Sequence, residues 1–292
     1  MALAPVPFRP NSPDLRVVDG GALRYKAAIM STYEHLLVTV EDSLGRITFN
    51  RPDKRNAMIA AMGDEVERAV AELNGNPDVR VVVVTGAGKV FSAGGDLDMI
   101  IEQTKRSPAE SRDFMAAYYR RYFALRELTM PTIAMLNGHA IGAGLCVALA
   151  CDLRTAADHA KMGLTFVRLG LNVGMGGTYT LPQLVGFGRA AELVLTGDLI
   201  DAQRAFDIGL VNRVCVADRL EDETLELARS IARHGPHALR YTKRSLYAGL
   251  GHDLEHVFDV EADGQSYCYQ TADILEGVES VRQKRAPEFK GK

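Results

Sequence analysis

The sequence lacks a continuous apolar run of the roughly 18–20 residues that a membrane-spanning helix requires. It also lacks an excess of positive charge, because 34 lysines and arginines face 37 aspartates and glutamates, for a net charge of -3. Such a chain has no overall positive field to attract nucleic acid or an anionic membrane. We therefore expect neither as a partner, and an anionic ligand would have to be bound by local cations.

Cysteine is scarce and is not arranged in pairs. The four cysteines are Cys146, Cys151, Cys215 and Cys268, and none of them forms a Cys-x-x-Cys motif. This spacing excludes the usual zinc-site patterns and argues against a disulfide framework. The sequence therefore predicts reduced thiols, no metal site and a cytoplasmic location.

The start of the chain lacks both helical and strand periodicity. Four prolines, at positions 5, 7, 10 and 13, interrupt it, and it contains no apolar stretch of the kind found in a secretory signal. We predict that residues 1–30 form a loose N-terminal extension.

Apolar patterning beyond this extension predicts an α/β fold. Two alternating segments, 35–41 and 45–50, flank Asp42 and Ser43 and predict a hairpin. A helical stripe running from Met62 to Leu73 follows, and then a valine-rich run at 79–85 typical of a buried parallel strand. Further elements are predicted as a helix at 108–128, a strand at 132–136, a helix at 142–151, a strand at 152–156, and helices at 240–250 and 254–270. Repeated strand–strand–helix units of this kind imply parallel pairing.

The last third of the chain is patterned differently from the first two. From about Gly176 onward the periodicity is almost wholly helical. We predict an α/β core over residues 31–215 and a helical region over residues 216–292 that packs on neighbouring copies in an oligomer.

Three segments combine small residues with strand-to-helix turns. The first segment is residues 50–57, the second is residues 91–97, and the third is residues 137–146. Glycines in the second and third segments allow a ligand to approach the backbone, and such turns present free N–H groups. Two turns lying side by side could direct two N–H donors at one oxygen, which is the arrangement of an oxyanion hole.

In their order and spacing, these segments resemble the signatures of the crotonase superfamily, the enoyl-CoA hydratase/isomerase family. The resemblance covers nearly everything beyond the extension and includes Gly174-Met-Gly-Gly177 and the closing Lys284-Arg-Ala-Pro-Glu-Phe289. It implies a crotonase-like spiral of ββα units that binds an acyl-CoA thioester, with the backbone N–H groups of Gly95 and Ala143 as oxyanion donors. Coenzyme A would be part of the substrate, with no covalently bound cofactor, and the family is usually a trimer or a dimer of trimers.

The resemblance also assigns residues to the binding of the thioester. Those implied to contact coenzyme A are Lys54, Arg55, Ala57, Ala93, Asp96 and Leu97. Those implied to line the substrate pocket are Met99, His139 and Phe166. The sequence leaves two interpretations of His139 open. It could be a general base beside the oxyanion turn, or a hydrogen-bonded histidine in the core.

The chain departs from the family pattern where hydratases carry two catalytic glutamates. Cys146 stands at the first position and Phe166 at the second. Cys146 could act as a thiolate or could pack as a small buried hydrophobe. Other candidates for proton transfer are Asp98, Tyr118, Tyr119 and Glu127.

The missing glutamates leave more than one function open. An enzyme could use another group to move the proton, or the chain could be a catalytically silent acyl-CoA-binding or assembly protein. A dehalogenase-like chemistry requires an aspartate where this chain has Gly174, and a protease of similar fold requires a serine after the glycines of the third segment. Neither is present.

Overall fold

The computed structural model describes residues 28–29 and 32–292, and it has the predicted α/β architecture. The strands, in chain order, are β1 (Ala28–Ile29), β2 (Leu36–Glu41), β3 (Leu44–Phe49), β4 (Val81–Gly86), β5 (Thr132–Leu136), β6 (Ala140–Ile141), β7 (Leu153–Ala157), β8 (Lys161–Gly163), β9 (Ile200–Asp201) and β10 (Arg213–Cys215). The helices are α1 (Ala60–Gly75), α2 (Leu97–Gln103), α3 (Pro108–Phe123), α4 (Ala143–Leu149), α5 (Gly177–Val185), α6 (Phe187–Thr196), α7 (Ala202–Asp207), α8 (Leu220–Ala232), α9 (Pro236–Ala248), α10 (Leu254–Cys268) and α11 (Ala272–Gln283).

The described strands form two sheets. The larger has the order β1-β2-β3-β4-β5-β7-β10, in which β1, β2 and β3 pair antiparallel and all later neighbours pair parallel. The smaller has the order β6-β8-β9. Because β4 and β5 run parallel, their carboxyl ends lie at one edge of the large sheet, and the second and third segments follow them there.

The predicted hairpin and the buried strand are both present. Asp42 and Ser43 have φ values of 48° and 65°, as a tight two-residue hairpin turn requires. All six residues of β4 are buried, and helix α1 places Met62, Val66 and Leu73 in the core. Apolar burial on both faces of β4 explains why its sequence is a continuous apolar run.

Several predicted boundaries were wrong. Strand β4 begins two residues later than predicted, because the N–H of Val79 closes a turn onto Asn76. The helix predicted at 108–128 ends at Phe123 and continues as a short 3₁₀ segment, Ala124–Glu127. The predicted loose extension ends in strand β1, which pairs with β2, and the rest of that prediction lies outside the described residues.

The almost wholly helical character predicted after Gly176 is confirmed, with two short strands, β9 and β10, as the exceptions. Strand β10 adds to the edge of the large sheet by pairing parallel with β7. Three residues are too few to show strand periodicity in a sequence. Helix α8 then packs on the sheet of its own chain, where the hydroxyls of Thr224 and Thr155 lie 2.7 Å apart.

Helices α9, α10 and α11 complete the chain, and α9 packs closely against α10. Lys243 of α9 pairs with Asp152 at 2.9 Å and donates to the carbonyl of Met130, which fastens α9 to the core. Helices α10 and α11 leave large apolar side chains exposed, among them Leu254, Phe258, Leu275 and Val281. Within residues 28–29 and 32–292, no helix has the length and apolar character needed to cross a membrane.

Candidate active site

The first and second segments lie side by side. The backbone of Met58, just after the first segment, forms a parallel bridge with Gly95. The N–H of Met58 donates to the carbonyl of Gly94, and the N–H of Asp96 donates to the carbonyl of Met58. The N–H of Ala93 also donates to the carbonyl of Arg55 at 2.9 Å. Residues 55–58 and 93–96 therefore form a short two-stranded strip at this edge of the sheet.

The third segment joins the same strip from the other side. Ser92 forms a parallel bridge with Ala140, and the N–H of Ile141 donates to the carbonyl of Ser92 at 3.0 Å. The carbonyl of His139 accepts from the N–H groups of Phe91 and Ser92. The structure thus brings together the three segments that the sequence singled out.

Asn56 holds the first segment in place from the interior. It is fully buried, its Oδ1 accepts from the N–H of Arg51, and its Nδ2 donates to the carbonyls of Ala87 and Val90, both at 2.9 Å. Its φ of 54° is left-handed, which asparagine tolerates better than most residues. Sequence analysis missed this residue, although an asparagine at a sharp turn is a known signal for such a conformation.

Gly95 and Ala143 each present a free backbone donor. The two hydrogen bonds of the Met58 bridge use the carbonyl of Gly94 and the N–H of Asp96, so the N–H of Gly95 faces away from that partner. Ala143 is the first residue of α4, so its N–H has no partner within the helix. Neither N–H group donates to any residue in the part of the chain that the structure describes.

The turns that carry these donors are packed against each other. A Cβ built on Gly94 would lie 2.6 Å from the carbonyl oxygen of Ile141 and 3.4 Å from the nitrogen of Ala143. Gly94 also has a φ of 94°, so glycine is required there on both counts. The two donors therefore belong to adjacent backbone turns, as an oxyanion hole requires.

The residues implied to contact coenzyme A lie around this strip. Some of their side chains are exposed without an ion-pair partner, and one is already paired within the protein. The side chains of Lys54 and Arg55 are exposed and form no ion pair with any described residue. Asp96 is already engaged, because it pairs with Arg51 at 3.2 Å and caps helix α2 by accepting from the N–H of Asp98. Ala57 is half-buried, and Ala93 and Leu97 are exposed.

Cys146 and Phe166 provide no charged group. Cys146 is fully buried, and its thiol lies 3.5 Å from the carbonyl oxygen of Gly174. Burial raises the pKa of the Cys146 thiol to about 12, so it is neutral near pH 7 and a poor base. Phe166 is half-buried against the core in a short 3₁₀ segment, Thr165–Leu169. Met99 is likewise half-buried, beside Gly95.

Among the other candidates for proton transfer, Tyr119 has the most distinctive position. A Cβ built on Gly174 would lie 2.3 Å from the Tyr119 hydroxyl, so that hydroxyl lies directly against Gly174. Tyr119 is half-buried, and its hydroxyl has no hydrogen-bond partner among the described residues. Burial, followed by the electrostatic influence of Cys146, raises the pKa of Tyr119 above its usual value.

The remaining candidates lie elsewhere or are already engaged. The Tyr118 hydroxyl is buried and donates to the carbonyl of Met58 at 3.1 Å. Asp98 and Glu127 are exposed. His139 is also exposed and accepts from the N–H of Lys161 at 3.1 Å, so its interpretation as a core histidine was wrong. Its backbone, rather than its ring, joins the second and third segments.

The large sheet carries, at the carboxyl edge of its parallel strands, two adjacent N–H donors with no partner among the described residues, so this is an α/β protein with a candidate oxyanion hole. A family model described as enoyl-CoA hydratase/isomerase matches residues 39–292. The chain therefore belongs to the enoyl-CoA hydratase/isomerase family.

Individual relatives agree with this assignment. The chain is 36% identical over 258 residues to a crotonyl-CoA hydratase from Syntrophomonas wolfei, a match that covers 88% of this chain and 98% of the relative. It is 34% identical over 256 residues to an (E)-benzylidenesuccinyl-CoA hydratase from Thauera aromatica, covering 86% and 97%.

Solved structures confirm the predicted fold. The crystal structure of an enoyl-CoA hydratase from Bacillus anthracis superposes with a TM-score of 0.83 at 35% identity, covering 89% of this chain and all of that one. DspI from Pseudomonas aeruginosa superposes with a TM-score of 0.84 at 32% identity, covering 91% and 100%.

Proposed function

We propose that this protein is an enzyme that binds an acyl-CoA thioester and stabilises its enolate through the N–H groups of Gly95 and Ala143. The observation that carries this proposal is the pair of free donors on two adjacent backbone turns. Negative charge develops on a thioester oxygen when an enolate forms, and donors fixed in advance stabilise it without reorganisation. Membership of the family supports the choice of a coenzyme A thioester.

The side chains around the two N–H donors suit both the coenzyme A part and the acyl part of such a thioester. The exposed cations Lys54 and Arg55 have no acidic partner among the described residues and are available to the phosphates of coenzyme A. Ala57, Ala93 and Leu97 lie along the same strip, where the chain that links the nucleotide to the thioester would run in this proposal. Phe166 and Met99 provide apolar wall for the acyl group.

We further propose that the protein acts in the cytoplasm as a trimer or a dimer of trimers. The exposed apolar side chains of α10 and α11 support this, because isolated domains rarely leave many such side chains uncovered on neighbouring helices. In this proposal residues 216–292 provide the contacts between copies.

The neutral thiol of Cys146 and the ring of Phe166 cannot replace two glutamates. We therefore expect hydration of crotonyl-CoA at least about 10²-fold slower than by a family member that carries both glutamates, since each general acid or base typically contributes 10²–10⁴-fold. Loss of the ultraviolet absorbance of the conjugated thioester measures the rate. Rapid hydration that survives Cys146→Ala would contradict this expectation. Rapid hydration abolished by Cys146→Ala would instead identify the thiol as the catalytic group.

The second candidate function is a catalytically silent acyl-CoA-binding or assembly protein. The observation that favours it is the neutral state of Cys146 where hydratases need a carboxylate. Turnover of any acyl-CoA that is abolished by a substitution at Ala143 would exclude it.

A further inference from the structure

A second cavity lies at the amino edge of the large sheet, away from the oxyanion donors. It has a volume of about 580 Å³, within the roughly 300–1,000 Å³ of small-molecule sites. Leu128 and Thr129, which precede strand β5, form one side, and helix α9 forms the other. Ala143 follows the opposite end of β5, and a strand of five residues places the two sites roughly 15 Å apart, at about 3.3 Å per residue.

Positive charge predominates around this cavity. Five basic side chains line it: Arg126, His237, Arg240, Lys243 and Arg244. Glu127 is the one acidic residue among the lining residues that the structure describes. Lys243 is neutralised, because it pairs with Asp152 at 2.9 Å. The three arginines form no ion pair with any described residue, so an excess of positive charge remains at the cavity wall.

Two of the arginines are held in place before any ligand binds. The Nε of Arg240 is buried and has no hydrogen-bond partner among the described residues, although buried polar groups nearly always have one. The guanidinium of Arg126 lies over the ring of Tyr247, 4.3 Å from its centroid. Guanidinium groups bind phosphate oxygens through two parallel hydrogen bonds, which makes this wall suitable for a phosphate ester.

The rest of the cavity wall offers aromatic rings. The ring centroids of Tyr241 and Tyr267 lie 5.0 Å apart, and that of His237 lies 5.1 Å from Tyr267. The Tyr267 side chain is exposed, whereas Tyr241 is half-buried. Rings of this kind stack on planar ligands, nucleobases included. The cavity therefore combines groups that recognise phosphate with groups that recognise a flat ring.

We propose that this cavity is a second ligand site and that it binds a nucleoside phosphate. The phosphates lie against Arg240 and Arg244, and the base stacks on Tyr241 and Tyr267. All the residues that line the site come from one chain, so binding requires no second copy. The site is separate from the oxyanion donors, and this proposal does not depend on the proposed function.

The test is isothermal titration calorimetry of the full-length protein with ADP as the probe. We expect binding that weakens as the salt concentration rises, because screening reduces the attraction of the cations for phosphate. Arg240→Gln and Arg244→Gln should each weaken binding about tenfold or more, since a hydrogen bond between charged groups is lost. Arg244 is exposed, so its substitution does not endanger folding.

Two further variants locate the bound ADP. Arg282→Gln removes the same charge from the exposed face of helix α11, outside the cavity, and should leave the affinity unchanged. Lys54→Gln should also leave it unchanged, although ADP is part of coenzyme A. ADP binding that Lys54→Gln weakens and the two cavity arginine variants do not would place ADP at the coenzyme A site and overturn the proposal.

The role of the aromatic rings has its own test. Tyr241→Leu should weaken binding of ADP but not of inorganic pyrophosphate, because pyrophosphate has no ring to stack. Pyrophosphate that binds the unmodified protein as tightly as ADP would overturn the assignment to nucleoside phosphates. Absence of ADP binding at low salt would overturn the site altogether.

Discussion

Replacing Ala143 by proline is expected to weaken binding of the enolate form of acetoacetyl-CoA by about 10²-fold. Acetoacetyl-CoA enolises readily, so it reports on the oxyanion donors without any catalytic step. Proline removes one donor, which typically costs roughly 10²–10³-fold in stabilisation of the charge. Proline is tolerated at the first position of a helix, which Ala143 occupies. The ultraviolet absorbance band of the enolate measures the amount bound.

Two control variants separate the lost donor from other effects of the substitution. Ala143→Gly keeps the N–H and removes only the methyl group, so we expect enolate binding within a few-fold of the unmodified protein. Phe187→Pro makes the same change at the exposed first residue of helix α6, after Gly186, which has a positive φ as Gly142 does, and should leave binding unchanged. Equal enolate binding by Ala143→Pro and the unmodified protein would show that this N–H does not contact the ligand.

Replacing Asn56 by alanine is expected to lower the free energy of unfolding by about 3 kcal/mol or more. The substitution leaves the N–H of Arg51 and the carbonyls of Ala87 and Val90 without their partner, and each such group costs about 1–3 kcal/mol. Chemical denaturation followed by circular dichroism measures the change. We also expect weaker enolate binding, because Asn56 ties the first segment to the loop that leads into the second.

The matched control for Asn56→Ala is Asp42→Ala. Asp42 also has a left-handed φ, of 48°, but it is exposed in the hairpin turn. Alanine there carries the conformational cost of about 1–2 kcal/mol without breaking buried hydrogen bonds. Equal losses in the two variants would mean that backbone strain, and not the hydrogen bonds of Asn56, accounts for the effect.

Long periodic elements were predictable from the sequence because burial imposes their pattern. The apolar run of β4 and the stripe of α1 reflect a strand covered on both faces and a helix covered on one. Strand β10 was not predictable, since three residues carry no period and only pairing with β7 makes them a strand. The same limit applies to β1.

The segments that form the site were predictable from the sequence, but the contacts between them were not. Glycines and turns marked the second and third segments, but their contact depends on the bridges of Met58 with Gly95 and of Ser92 with Ala140, which span distant parts of the chain. Before the structure, only the resemblance to the family, carried by the order and spacing of the segments, indicated that they lie together.

The tyrosines of α3 show where periodicity is insufficient. Tyr118 and Tyr122 both donate to backbone carbonyls near the first segment, whereas Tyr119 points toward Gly174. Adjacent helical residues differ by about 100° in direction, so the pattern separates Tyr119 from Tyr118 but does not say which of them reaches the site. Which tyrosine reaches the site depends on the absence of a side chain at Gly174, which makes space for the Tyr119 hydroxyl. This contact can be seen only in the folded chain.

The central claim is that Gly95 and Ala143 form an oxyanion hole for a coenzyme A thioester. The most direct measurement is the pH titration of acetoacetyl-CoA, followed by its enolate absorbance band, with and without an excess of the unmodified protein. We predict that the bound ligand is an enolate at pH values where the free ligand is mostly in its keto form, because the two donors favour the charged oxygen. A bound ligand that titrates like the free one, or no binding at all, would contradict the account.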